Sequence, residues 1–313
     1  MKTTSPPFEE LFEQVINFPD FEYQERLNSL VGLDEHKERL VKILSLLIHH
    51  KSFDAWAKKH HPEAKKITSM VLRRPPLIVM EGDVGSGKSE LAFTIGDLVA
   101  RREKIQVELF PLSLSTRGKG HVGEMTRLIS SAFDYTIEKA EKLKNSTGDS
   151  RGAVILLVDE ADALTQSRES AQMHHEDKAG VNAFIRGVDR LGNGKLPAAV
   201  IMCTNRFNAL DPAIRRRAAE TLHFKRPNEV ERKIVLSDPL KELGFSDESI
   251  AELVTITGQN NGNDYGFTFS DLTQRLIPSI ILDAYPDKPV DSGRALDIAK
   301  SIIPTSPFKE TVL

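Results

Sequence analysis

With 313 residues, the chain is long enough to bury a sizeable core and to divide into one large and one small domain. Its 40% hydrophobic and 28% charged residues are ordinary for a soluble globular protein, and a formal net charge of -3 gives no footprint for a nucleic-acid partner beyond local basic patches. A single cysteine, Cys203, excludes an intrachain disulfide and a Cys-rich zinc site, as suits a reducing compartment.

The opening stretch MKTTSPPFEELF lacks the apolar core of a signal peptide. Apolar runs such as ILSLLI and AVILLV fall far short of the roughly 20 residues that span a bilayer. The expectation is a cytoplasmic protein without a membrane partner. Residues 1–30 are mixed and Pro-containing, a short N-terminal extension. From Asp34, Leu40, Ile43, Leu44 and Leu47 recur at helical spacing. After a polar stretch rich in Lys and His, RRPPLIVMEG releases an apolar run into a Gly-rich loop, and KSELAFTIGDLVARRE follows as an amphipathic helix. The alternation then repeats. IQVELFPL reads as a strand and GEMTRLISSAFDYTIEKAEKLK as a helix; GAVILLVDEAD reads as a strand buried on both faces. EDKAGVNAFIRGVDRL is helical and AAVIMCTNR is another buried strand. Such alternation predicts an α/β fold around a mostly parallel sheet. Beyond FKRPNEVERK only helical patterns occur, which places a boundary near Arg226–Pro227. A large α/β domain over residues 31–226 and a small all-helical domain over 227–313 result.

MEGDVGSGKSELAF, between the first strand and its helix, carries G-x-x-x-x-G-K-S from Gly82 to Ser89. Glycines let successive N–H groups turn toward an anion, and the helix N-terminus adds its positive dipole end. In this setting the loop is suited to nucleotide phosphates, with Lys88 on the β- and γ-phosphates and the Ser89 hydroxyl on Mg²⁺. Two carboxylates end the strand VILLVDEAD: Asp159 is placed to hold the Mg²⁺ water shell and Glu160 to polarise a water for attack on the γ-phosphate. Taken alone, the pair is also what a strand finishing in solvent would show. Asn205 ends a further buried strand and can position the same water, although Thr204–Asn205 by itself is as well a turn signal. NALDPAIRRRAAE then places Arg215, Arg216 and Arg217 in a row after a short helix; a charge run is ordinarily a solvated face, yet Arg also suits a γ-phosphate offered by a neighbouring subunit.

In this order the motifs resemble those of AAA+ ATPases, over nearly the whole chain from LVGLDEHKERL to DIAKSIIPTS. The resemblance implies the AAA+ P-loop fold with a helical lid, ATP and Mg²⁺ as ligands, and a homo-hexameric ring in which each site is completed by the next subunit. Val31 and Gly32 then line the adenine pocket, and Asp83, Val84, Gly85, Ser86, Gly87, Lys88, Ser89 and Glu90 form the nucleotide-binding run. Asp159 and Glu160 match Walker B, Asn205 matches sensor 1, and Arg216 and Arg217 are the preferred arginine fingers. His121, Val122 and Gly123 align with the first pore loop, where an aromatic usually replaces the histidine; Met173, His174 and His175 align with the second. Adjacent histidines invite a zinc reading, but no third and fourth ligand stand at useful spacing. Ser270 or Asp271 falls where many members carry a sensor 2 arginine, so that contact is missing or supplied by another residue such as Arg275.

More narrowly, the chain resembles the pachytene-checkpoint remodellers of HORMA-domain proteins in their bacterial form, from CBASS antiphage systems. That resemblance implies a ring that threads a HORMA protein bound to a CD-NTase and switches off antiviral signalling. A DNA-directed AAA+ ATPase of loader or transposition-regulator type shares the motif set; near-neutral charge and the lack of an evident helix-turn-helix argue against it. A nucleotide-gated scaffold that does not hydrolyse is the third reading, opposed by the intact Asp159, Glu160 and Asn205.

Overall fold

The computed structural model describes residues 8–12, 14–48, 50–113, 124–144, 150–164, 175–259 and 265–307. In chain order it builds α1 (Phe8–Leu11), β1 (Ile16–Phe18), α2 (Phe21–Asn28), α3 (Asp34–Ile48), α4 (His50–His60), α5 (Lys65–Val71), β2 (Leu77–Gly82), α6 (Lys88–Glu103), β3 (Gln106–Ser113), α7 (Glu124–Leu143), β4 (Gly152–Asp159), α8 (His175–Gly194), β5 (Ala198–Thr204), α9 (Pro212–Arg215) and β6 (Ala218–Phe224). A 3-10 turn, Ala161–Leu164, leaves β4. Among the described residues helices then continue alone as α10 (Glu229–Glu242), α11 (Asp247–Ile256), a π-helical turn (Asp271–Leu276), α12 (Ile277–Ala284) and α13 (Ser292–Ser301).

The strands form one six-stranded sheet in the order β1-β3-β4-β5-β2-β6. β3 pairs with β4, β4 with β5 and β5 with β2, all parallel. Every residue from Gly152 to Val158 and from Ala198 to Thr204 is buried, so both faces of β4 and β5 are covered, as their unbroken apolar runs require. On one face Val154, Leu156, Val158, Val200 and Met202 share a core with Leu128, Phe133, Phe184 and Val188 of α7 and α8. The antiparallel strand β1, with Ile16 opposite Leu109 and Phe18 opposite Val107, makes the sheet mixed rather than purely parallel. Pro111 lies past that pairing, where β3 needs no donor on the β1 side.

Contacts divide the chain into two compact units, residues 1–29, 35–81 and 89–222 in one and residues 30–34, 82–88 and 223–313 in the other. The N-terminal segment is part of the first unit's core. Phe8 and Phe12 cluster with Phe110 and Tyr135, the Phe12 and Phe110 rings lying 5.0 Å apart. The Asp20 N–H donates to the buried Asp97 of α6 at 2.8 Å, while the Asp20 side chain caps α2. A four-residue helix is too short to show periodicity, so this packing left no signal in the sequence.

The second unit closes its own core around Leu236, Leu240, Leu253, Phe267, Leu272, Leu276 and Ile280. A capping box, Asn228 with Glu231, starts α10 directly after Pro227. Asp271, 1% exposed, accepts hydrogen bonds from the Thr268 N–H, the Thr305 N–H and hydroxyl, and Arg275. Burial alone would push this carboxyl up, but the four donors outweigh it and hold the group below the ordinary aspartate range.

Candidate active site

Parallel pairing aligns the carboxyl ends of β4 and β5, with Val158 opposite Met202, and ligands of α/β sheets bind beyond such ends. Asp159 closes β4 there; Thr204, paired with Glu81 of β2, closes β5, and Asn205 follows it. Ser89, in the first turn of α6, donates its hydroxyl to Asp159 Oδ1 at 3.0 Å, and the Glu160 N–H donates to the same oxygen at 2.9 Å. Glu160 is exposed and sits at φ 49°, a left-handed conformation costly for a residue with a Cβ, which turns the chain sharply out of the strand. Two oxygens of alcohol and carboxylate type 3.0 Å apart are a donor set that fits a hard divalent cation such as Mg²⁺.

Two residues on, the 3-10 turn presents Asp162 to the end of β5. Its Oδ1 accepts the Thr204 hydroxyl at 2.7 Å and the Asn205 N–H at 3.0 Å; its Oδ2 accepts the Asn205 side-chain amide at 3.3 Å. No spacing in the sequence singles out Asp162, although it stands in the same DEAD run.

The Gly-rich loop belongs to the second unit. The buried Lys88 ammonium donates to the carbonyls of Gly82 at 2.9 Å and Asp83 at 2.6 Å and to Ser86 Oγ at 3.3 Å. Ser86 in turn donates to the Asp83 carbonyl. At Gly85, φ is +74° and a Cβ would stand 2.8 Å from both Ser270 Cβ and Thr268 Oγ1; the Ser270 N–H donates to the Gly85 carbonyl at 3.2 Å. A Cβ on Gly82 would meet the Phe224 carbonyl oxygen at 2.1 Å. The spacing of small residues is thus enforced by close backbone approach, and the wrapped loop with its lysine fits a polyphosphate. Val31 packs on the second unit's core, and at Gly32, φ +71°, a Cβ would stand 2.7 Å from Glu231 Oε1. Gly87 is left-handed too, and Val84 is exposed.

Arg226 is a further site residue that sequence reading used only as a boundary. Its Nε donates to the loop's Asp83 at 2.6 Å and its Nη1 to the Gly266 carbonyl at 2.7 Å, while the guanidinium lies 4.9 Å over the Tyr265 ring. A lone arginine before a proline carries no motif, so only its contacts mark it. Arg275 is bound to Asp271 at 2.7 Å and to the Ile303 carbonyl. Glu90 forms a two-pronged pair with Arg26 at 2.8 and 2.9 Å.

The three consecutive arginines differ. Arg217 grips Asp189 with two hydrogen bonds, at 2.7 and 2.9 Å, and the bond to that carboxylate raises its pKa. Arg215 lies 5.9 Å from the Phe207 ring, and Arg216 is exposed. His121, Val122, Gly123, Met173 and His174 lie outside the described residues. Among the described residues no group of three or more His, Cys, Asp or Glu is placed to hold a metal, and no helix is long and apolar enough to cross a membrane.

Comparison with known proteins matches residues 78–226 to the family of ATPases associated with various cellular activities, AAA. The chain is 63% identical over 303 residues to CD-NTase-associated protein 6 of Escherichia coli (strain MS 115-1), covering 97% of each. It superposes with a TM-score of 0.90 and 61% identity on a chain in the structure of the E. coli MS115-1 HORMA:CdnC:Trip13 complex, covering 98% of this chain and 100% of that one. A second solved structure, Rhizobiales Trip13, aligns at a TM-score of 0.74 and 55% identity over 95% of this chain.

Proposed function

The chain belongs to the AAA ATPases, in the group of CD-NTase-associated protein 6, and on that premise we propose that it works as a homo-hexameric ring that remodels a HORMA-domain protein bound to a CD-NTase. ATP hydrolysis drives the substrate through the ring and so ends antiphage signalling of the CBASS type. The full-length likeness to a chain solved in a HORMA:CdnC:Trip13 complex is the observation that carries this reading.

In the reaction the amides of Asp83 to Ser89 cradle the triphosphate, and Lys88 moves from the Gly82 and Asp83 carbonyls to phosphate oxygens of greater charge. Val31 and Gly32 border the base. Ser89 and Asp159 would hold Mg²⁺, which would supply electrophilic polarisation of the phosphate oxygens when bound. Glu160 takes the proton of the attacking water, Asn205 orients that water, and a neighbour's Arg216 stabilises the charge that develops on the γ-phosphate. His121, Val122 and Gly123, with Met173 and His174, grip the threaded segment. Repeated pulling is required because a folded domain resists by about 5–15 kcal/mol, more than one loop contact supplies.

The test is Glu160→Gln in the full chain. It is expected to retain ATP, to turn over at least about a hundredfold more slowly, and to form stable hexamers that hold a HORMA protein through purification. Wild-type turnover in that variant would remove Glu160 from the mechanism. A trap that never retains a HORMA protein would refute the substrate.

A further inference from the structure

We infer that Asp162 is a positioning residue for hydrolysis, which locks the side-chain amide of Asn205 in one of its two orientations. The inference rests on the hydrolytic reading of the Asp159–Glu160–Asn205 set and adds to it the group that decides which atom Asn205 offers.

An asparagine amide is nearly symmetrical in shape and opposite in chemistry at its two ends, so its orientation follows from its partners. An ionised carboxylate accepts hydrogen bonds and donates none. With Asp162 Oδ2 at 3.3 Å, the end of Asn205 facing it is the NH₂, and the carbonyl oxygen is the branch turned away. The carboxylate itself is fixed by two shorter bonds, from the Thr204 hydroxyl and the Asn205 N–H, and Thr204 Oγ1 also accepts the Arg206 N–H. Turning the amide over would set its oxygen against a carboxylate oxygen. Asn205 is therefore held as an acceptor, the form that accepts a hydrogen bond from the attacking water and leaves the water's lone pair free for phosphorus. An amide presented by its NH₂ end would donate to that lone pair and blunt the nucleophile.

This role separates from a merely structural one through the order of two substitutions. If Asp162 only tied the 3-10 turn to β5, the isosteric Asp162→Asn would be milder than the truncating Asp162→Ala. If it sets the amide, the order reverses: an asparagine at 162 keeps its Oδ1 on Thr204 and the Asn205 N–H, turns its new NH₂ toward Asn205 and inverts the acceptor.

Steady-state ATPase assays on the full chain, with kcat and KM measured separately, decide it. Asp162→Asn is expected to lower kcat about tenfold or more with KM for ATP within about twofold. Asp162→Ala should lose less, and Asp162→Asn combined with Asn205→Ala should lose no more than Asn205→Ala alone. Wild-type kcat in Asp162→Asn, a greater loss in Asp162→Ala, or losses that multiply in the double variant would each overturn the assignment. Should Asp162→Asn fail to fold, the Asp162→Ala and Asn205→Ala pair with their double variant reads the same coupling. A wild-type chain that hydrolyses no ATP sinks the hydrolytic reading and this one with it; an active wild type with independent variants sinks this one alone.

Discussion

Arg216 and Arg217 share a sequence context and differ in what surrounds them. Arg217 is spent on Asp189 within its own chain, both prongs of the guanidinium engaged, whereas Arg216 is exposed after the four-residue helix α9. A guanidinium that must meet a neighbour's phosphate has to be free to leave its surroundings, so the finger proposal concentrates on Arg216. Arg216→Ala should lower kcat by about 10³-fold, with ATP affinity close to wild type in a binding titration. Arg217→Ala should show its effect first as a lower melting temperature. Equal and full activity in Arg216→Ala would return the role to another residue of the run. Glu160 has a left-handed backbone in the turn that carries the proposed catalytic carboxylate, where strain is retained only when the surrounding contacts impose it.

Among the elements, the π-helical turn and the N-terminal segment carry most of what periodicity did not reveal. Asp271 closes the π-helical turn by binding Thr268, Thr305 and Arg275, which draws Arg275 into a structural bond at the place where sequence reading sought a substitute for sensor 2. Because the folded pKa lies below the unfolded one, this carboxylate contributes stability that is fully present above about pH 4 and is lost as pH falls through its lower folded value. Asp271→Asn should therefore flatten the acid limb of a stability-versus-pH curve below about pH 4 and lower stability at neutral pH. An unchanged acid limb would count against it. At the other end, Phe12 is 2% exposed and packs at a tilt against Phe110 of β3. Truncation by Phe12→Ala should cost about 3–5 kcal/mol in denaturant unfolding followed at the first unit. A loss under about 1 kcal/mol would mean the segment is peripheral after all.

For the whole molecule, charge is the quantity that separates the competing partners. A formal charge of -3 over 313 residues gives little electrostatic drive toward a phosphodiester backbone. Anisotropy titrations with duplex DNA are expected to show weak binding with a shallow dependence on salt. A steep decline of affinity with salt would point to several phosphate contacts and revive the DNA-directed reading. The hexamer proposed above is a property of this scale too, since in that reading the exposed Arg216 serves a phosphate bound by the neighbouring protomer.

Motif spacing and apolar runs were enough to read an α/β fold, the Gly-rich loop between a strand and its helix, and the acidic strand end. These are local: the glycines of one loop, an unbroken apolar run and the residue that ends it each lie within a few positions of one another. Asp162 beside Asn205, Arg226 on Asp83, Arg217 on Asp189 and the first aromatic residues in the core were decided by tertiary structure alone. Each joins groups separated by many residues, and a hydrogen-bond partner is chosen by the distance that folding leaves between two groups, which no periodicity records. Sequence thus determined what chemistry the chain carries; the folded contacts decided which of its polar side chains are already engaged and in which orientation the rest are offered.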